Sequence, residues 1–227
     1  MTFSKVTHVL FDMDGLLLDT EKLYRCAISE ALQTYGKEYT PEVMLMVTGT
    51  TERDTVQIIV NEYNLPSEEE FHKMFKKRSL ELLKDSELCE GAERLVRHLS
   101  KHGVPIAVAT SSSLESVGVK TQKFKELFSL FHHVVSGSSD PDVKNGKPAP
   151  DIFLVCASRF PDKPEPEKCL VFEDAHNGIV GARCAGMQAV MVPEKTVPEE
   201  KRKGATVVLN SLLEFKPELF GLPPFDD

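Results

Sequence analysis

The chain lacks a basic excess: 27 lysines and arginines stand against 35 acidic side chains, a net charge of −8. A field of that sign repels phosphate backbones and anionic headgroups, so no nucleic acid and no membrane surface is expected as a partner. Long apolar runs are missing too. No stretch approaches the roughly 20 residues that span a bilayer, and no secretory leader is expected. Nor is there a disulfide or zinc framework. The five cysteines, Cys26, Cys89, Cys156, Cys169 and Cys184, are odd in number, widely spaced and mostly in apolar contexts. They read as reduced core residues of a cytoplasmic protein. No internal repeat is present. The 227 residues fit one large domain, or a domain with an insertion, and suffice for a proper core.

What is there begins near the start, where the apolar run Thr7 to Phe11 delivers Asp12-Met13-Asp14-Gly15. The run reads as a buried strand, and alternate side chains of a strand share a face. Asp12 and Asp14 would project together if that geometry held to the strand's end, with Gly15 letting the chain turn away. Two close carboxylates repel, so they need a cation, a shared proton or water. A hard divalent metal is the simplest answer. A calcium loop is excluded: counting from Asp12, the fifth, seventh, ninth and twelfth positions are Leu16, Leu18, Thr20 and Leu23, without the oxygen ligands that such a loop requires.

Three more stations follow. A second apolar run, Pro105 to Thr110, ends in Thr110-Ser111-Ser112-Ser113, hydroxyls suited to phosphate binding or to capping the next helix. Lys147 lies in Gly146-Lys147-Pro148-Ala149-Pro150-Asp151, where Pro150 can start a helix carrying Ile152, Phe153 and Cys156. A further run, Cys169 to Phe172, ends in Glu173-Asp174, repeating the layout of strand followed by acids.

Strands alternating with helical segments argue for a parallel α/β sheet. Ligands of such sheets bind outside the carboxyl ends of the strands, so the four stations converge on one crevice. The expected fold is a Rossmann-like core of residues 1–19 and 89–227, interrupted by an inserted helical cap of residues 20–88. About 85 residues separate the first two strands, far more than a direct crossover needs. Helical spacing runs through Leu23, Ala27 and Ala31 (with Asp19 or Thr20 as the cap), through Val56, Ile59, Val60 and Tyr63, and through Phe71, Met74, Phe75 and Leu82. Ala92, Leu95, Val96 and Leu99 then form the crossover helix, stopped by Gly103. A short strand at Thr206 to Leu209 and a final helical turn close the chain.

The set Asp12-Met13-Asp14-Gly15, Thr110-Ser111, Lys147 and Glu173-Asp174, in this order, resembles the haloacid dehalogenase superfamily in its magnesium-dependent phosphatase branch. The resemblance covers essentially the whole chain. It implies an α/β core with a helical cap and a hydrolase that cleaves a small phosphorylated metabolite. By resemblance, pseudouridine 5′-phosphate is the first candidate substrate, and glycerol 3-phosphate or a small sugar phosphate is next. Phosphate-ester hydrolysis is among the slowest uncatalysed reactions, so positioning and charge stabilisation must supply most of the acceleration. The expected roles follow. Asp12 attacks phosphorus, and Asp14 serves as acid and then base. Mg²⁺ is held by Asp12, the Asp14 carbonyl and Asp174, with Glu173 nearby. Lys147, Thr110 and the backbone near Ser111 hold the phosphoryl oxygens.

Two related chemistries fit less well. Dehalogenases of the superfamily use no magnesium and lack an acid at the Asp14 position. In β-phosphoglucomutase the cap supplies a lysine and an arginine, where this chain has Thr48 and Glu52, with Arg53 adjacent. Hydrolysis is therefore expected over transfer. A phospho-receiver signalling module also clusters acids, a hydroxyl and a lysine on a parallel sheet, but its acceptor lies on a central strand without a cap. Tyr24, Thr48, Arg53 and Lys77 are the candidate cap-side contacts to substrate. The protein is taken as a monomer by default.

Overall fold

The computed structural model describes residues 3–226. Six strands form one sheet: β1 (His8–Phe11), β2 (Ile106–Thr110), β3 (Val134–Ser136), β4 (Cys169–Glu173), β5 (Gln188–Met191) and β6 (Val207–Val208). Their order is β3-β2-β1-β4-β5-β6, and every pairing is parallel. The expected parallel α/β core is thus present. Succession reverses at β1, which lies between β2 and β4, so the topological switch point sits at the carboxyl ends of β1 and β4.

Both faces of the sheet are covered, which is why its central strands are continuous apolar runs. Val9, Phe11, Ile106, Val108, Leu170 and Phe172 pack on one side with α5 (Ala92–Lys101). Leu10, Ala107, Ala109, Cys169 and Val171 pack on the other with α8 (Asp151–Ser158) and α9 (His176–Cys184). The two-residue alternation therefore holds along β1, β2 and β4. Phe11 and Phe172 stack at 5.0 Å between ring centroids, tying together the two strands that deliver the acids.

The segment between β1 and α5 is helical: α1 (Glu21–Gln33), α2 (Pro41–Val47), α3 (Glu52–Tyr63) and α4 (Glu68–Leu82). These helices bury a cluster of their own, including Ile28, Leu32, Val56, Ile59, Phe71 and Phe75. The chain leaves and re-enters the sheet domain along paired segments. Leu18 bridges Leu88, Asp19 N donates to Glu87 O at 2.9 Å, and Cys89 N donates to Leu17 O at 3.0 Å. A two-stranded neck of this kind is the form a hinge between cap and core would take.

Two local readings change, those of Thr20 and of the cysteines, and the expected serine cap is present. Thr20 sits at the N-cap position of α1, yet its hydroxyl makes no capping bond and donates to Asp14 instead. Of the serines after β2, Ser113 is the helix cap, accepting from Ser116 N at the start of α6 (Leu114–Lys120). All five cysteines are free, but only Cys156 and Cys169 are buried; Cys26 and Cys184 lie on exposed helix faces. No helix among the described residues is long and apolar enough to cross a membrane.

Candidate active site

The carboxyl end of β1 carries Asp12, and that of β4 carries Glu173 and Asp174. All three acids are buried, and one carboxylate oxygen from each lies within 4.8 Å of the others. Lys147 reaches them from the loop before α8, beneath Phe153. Its ammonium donates to Asp12 Oδ1 and to Glu173 Oε1, each at 2.5 Å, and to Ala109 O at 3.1 Å. Three buried carboxylates against one lysine leave negative charge uncompensated. Burial pushes the Asp12 carboxyl well above its ordinary value; Lys147 opposes that shift, while Glu173 and Asp14 add to it. Asp174 is pushed up in the same way, by burial and then by Asp12, Glu21 and Glu173. Oxygen donors in surplus charge, out of water, are the donor set that a hard divalent cation could bind.

Two glycines let the chain approach this cluster. Gly15 has φ +78°, and a Cβ there would stand 2.2 Å from Asp174 Oδ2. At Gly178 a Cβ would fall 1.9 Å from the Glu173 carboxyl carbon, so the first turn of α9 packs directly behind that side chain.

β1 ends at Phe11, so strand alternation alone does not set the direction of Asp14, although Asp12 and Asp14 line one cavity. The Asp14 side chain meets Lys120, a residue that the sequence reading did not single out. Lys120 is 1% exposed, and its ammonium lies 2.5 Å from both Asp14 oxygens. Thr20 donates to Oδ1 at 2.6 Å and Ser112 to Oδ2 at 2.8 Å. Burial alone would raise Asp14, but the Lys120 charge and these hydrogen bonds hold it below its ordinary value. Ser116 and Lys120 are the buried residues of α6, one turn apart. That faint helical register was the sequence's sole signal for Lys120, since a lysine is normally exposed.

The other phosphate-side residues sit around this floor. Thr110 is fully buried, with its hydroxyl 3.4 Å from Asp14 Oδ2 and accepting from Ser112 N at 3.1 Å. Ser111 Oγ donates to Gly49 O at 3.0 Å, which ties it to the cap loop.

A cavity of about 330 Å³ rises from Asp12, Asp14 and Asp174 to the cap. Tyr24 and Thr48 line it. The Tyr24 hydroxyl lies 3.3 Å from Ser112 Oγ and 3.4 Å from Lys120 Nζ. Thr48 spends its hydroxyl on Met44 O, while its carbonyl accepts from Asn177 Nδ2 at 3.3 Å. Arg53 and Lys77 are exposed and outside the lining. The helical register explains both: α3 turns Thr55, Val56 and Ile59 inward, and Lys77 lies two residues past buried Phe75, on the opposite side of α4. Glu52 lines the cavity where Arg53 does not. Arg25 of α1 crosses to the core and holds Glu194 in a two-point ion pair at 2.5 and 2.9 Å. Neither Arg25 nor Glu194 was foreseen; nothing in their local sequence marks a pair 169 residues apart.

A doubly wound sheet with clustered acids, a lysine and hydroxyls at its switch point, closed by a helical cap, defines a hydrolase of the phosphoryl-transfer kind. Residues 9–192 match the haloacid dehalogenase-like hydrolase family, and the chain belongs to it. A probable pseudouridine-5′-phosphatase of Drosophila melanogaster is 52% identical over 224 residues, covering 98% of this chain and 97% of that protein. (DL)-glycerol-3-phosphatase 2 of Arabidopsis thaliana is 43% identical over 226 residues, covering 98% and 94%. A β-phosphoglucomutase structure from Clostridium difficile aligns with a TM-score of 0.77 over 94% of each chain at 22% identity, a likeness of fold alone. The chain is a phosphoric monoester hydrolase.

Proposed function

We propose that this phosphatase hydrolyses a nucleoside 5′-monophosphate, with pseudouridine 5′-phosphate first, through an aspartyl-phosphate on Asp12 with Mg²⁺ as cofactor. The observation that carries the reaction is the buried group of Asp12, Glu173, Asp174 and Lys147, of which Asp12 and Asp174 line a capped cavity. A cytoplasmic location is proposed on the free cysteines, and a monomer by default.

Mg²⁺ held by Asp12, Asp174 and the Asp14 carbonyl, with Glu173 nearby, would neutralise the phosphoryl oxygens and the acids around them. The chain's own groups do the rest. Lys147, Thr110 and the backbone near Ser111 hold the phosphoryl group for in-line attack. The Asp12 carboxylate bonds to phosphorus as the ester P–O bond breaks, and Asp14 gives its proton to the leaving oxygen. Asp14, then a carboxylate, takes a proton from the water that attacks the aspartyl-phosphate, which releases phosphate and restores Asp12. In the free protein Lys120 favours the carboxylate form of Asp14, the form that the second step uses. An arriving phosphate dianion raises its proton affinity for the first.

The cap side supports a substrate with one phosphate and an unsaturated ring. Tyr24, Tyr39 and Phe75 provide aromatic wall, with Asn177 and Thr55 as polar groups beside it. Thr48 and Glu52 bring no positive charge for a second phosphate, and Arg25 is committed to Glu194. The test is a screen of nucleotides, sugar phosphates and glycerol phosphates, read as released inorganic phosphate. The expected result is the highest kcat/KM on pseudouridine 5′-phosphate. A higher value on glycerol 3-phosphate would move the assignment to that substrate. Transfer between bisphosphates without net phosphate release would overturn it.

A further inference from the structure

We propose that Lys120 is a positioning residue, one that holds the Asp14 carboxylate in the orientation used to activate water on the phosphoenzyme. The proposal rests on the reading of Asp14 given above. An ammonium with almost no exposure is costly to bury, and proteins tolerate one only where it is paired and hydrogen-bonded. Lys120 meets that demand almost entirely at the site. It contacts both oxygens of Asp14 at 2.5 Å, Ser112 Oγ at 2.7 Å and the Tyr24 hydroxyl at 3.4 Å. Contact with both oxygens fixes the rotation of the carboxylate, which a single hydrogen bond does not do. Thr20 and Ser112 then hold one oxygen each. Lys120 belongs to the core helix α6, whereas Tyr24 belongs to α1 of the cap. The ammonium therefore joins Asp14 to both halves of the site, and the cap wall helps to set its position.

Positioning makes a specific demand: loss of Lys120 must reproduce the loss of Asp14. The experiment is rapid-quench kinetics with p-nitrophenyl phosphate on Lys120→Met, Asp14→Asn and the double variant, with protein-bound phosphate measured after acid quench. Lys120→Met is expected to release about one equivalent of p-nitrophenol in a burst, accumulate phosphoenzyme and turn over about a hundredfold more slowly than the parent, within the range of a misplaced general base. The double variant is expected to be no slower than Asp14→Asn, within about twofold, because groups acting as one unit are not additive. Should Lys120→Met fail to fold, Lys120→Arg carries the comparison, since it keeps the charge but breaks the set of contacts made by the compact ammonium.

The proposal is overturned if Asp14→Asn traps phosphoenzyme while the Lys120 variant does not, or if the two losses multiply in the double variant. Failure of the underlying reading looks different: Asp14→Asn itself would trap nothing.

Discussion

Replacing Asp12 by asparagine is expected to lower turnover by at least four orders of magnitude, with each factor of ten worth about 1.4 kcal/mol of transition-state stabilisation. The amide matches the carboxylate in size but carries no charge to attack phosphorus. It also removes one of three acids from a site that is oversupplied with them, where Lys147 is shared between Asp12 and Glu173 at equal distance. The fold should therefore survive, because Lys147 keeps Glu173 as its buried partner and leaves no unpaired cation. Kinetics on p-nitrophenyl phosphate, with a melting curve as control, checks both halves. An Asp12→Asn variant with a tenth of parental activity would remove Asp12 from the role of nucleophile.

Removing divalent metal is expected to have an effect of similar size. Excess EDTA should reduce phosphate release to background, and added Mg²⁺ should restore it, because Lys147 alone does not offset Asp12, Glu173, Asp174 and a phosphate dianion. The same charge surplus predicts a change in stability that can be read without substrate. Mg²⁺ at a hundred times its Kd should stabilise the folded protein by about 2.7 kcal/mol, as ligand linkage requires. In Asp174→Ala, which removes a carboxylate that no lysine contacts, that stabilisation should largely disappear. Full activity in excess EDTA would contradict the mechanism, and an equal Mg²⁺-induced shift in the variant would contradict the assigned ligands.

The parts of this protein that were legible in its sequence are those where a long apolar run forces one answer. β1, β2 and β4 lie in the sheet's centre, are covered on both faces, and each ends in chemistry-bearing residues. β3 is three residues long and too short to show periodicity. Only Ala185–Met187 separate β5 from α9, so its apolar residues merge into those of the helix. In the cap, α1, α3 and α4 carry clear helical spacing, whereas the seven residues of α2 do not. The four stations were readable because strand ends converge by topology. The partner of Asp14 was not: the acid lies past the end of β1 at Phe11, and the ammonium that meets it comes from α6, 106 residues away in sequence. Arg53 and Lys77 show the complementary limit. Charge made them candidates, but the face of the helix decides contact, and both face away.

The measurement that tests the central claim most directly is identification of the phosphorylated residue in Asp14→Asn after a brief reaction with p-nitrophenyl phosphate and acid quench. A good leaving group needs little protonation, so the first step should still proceed, while the second lacks its base. Peptide mass spectrometry should then find one phosphoryl group, labile to hydroxylamine, on the peptide that contains Asp12. A phosphoryl group on another residue would contradict the account. So would p-nitrophenol release at an undiminished steady rate with no phosphate on the protein.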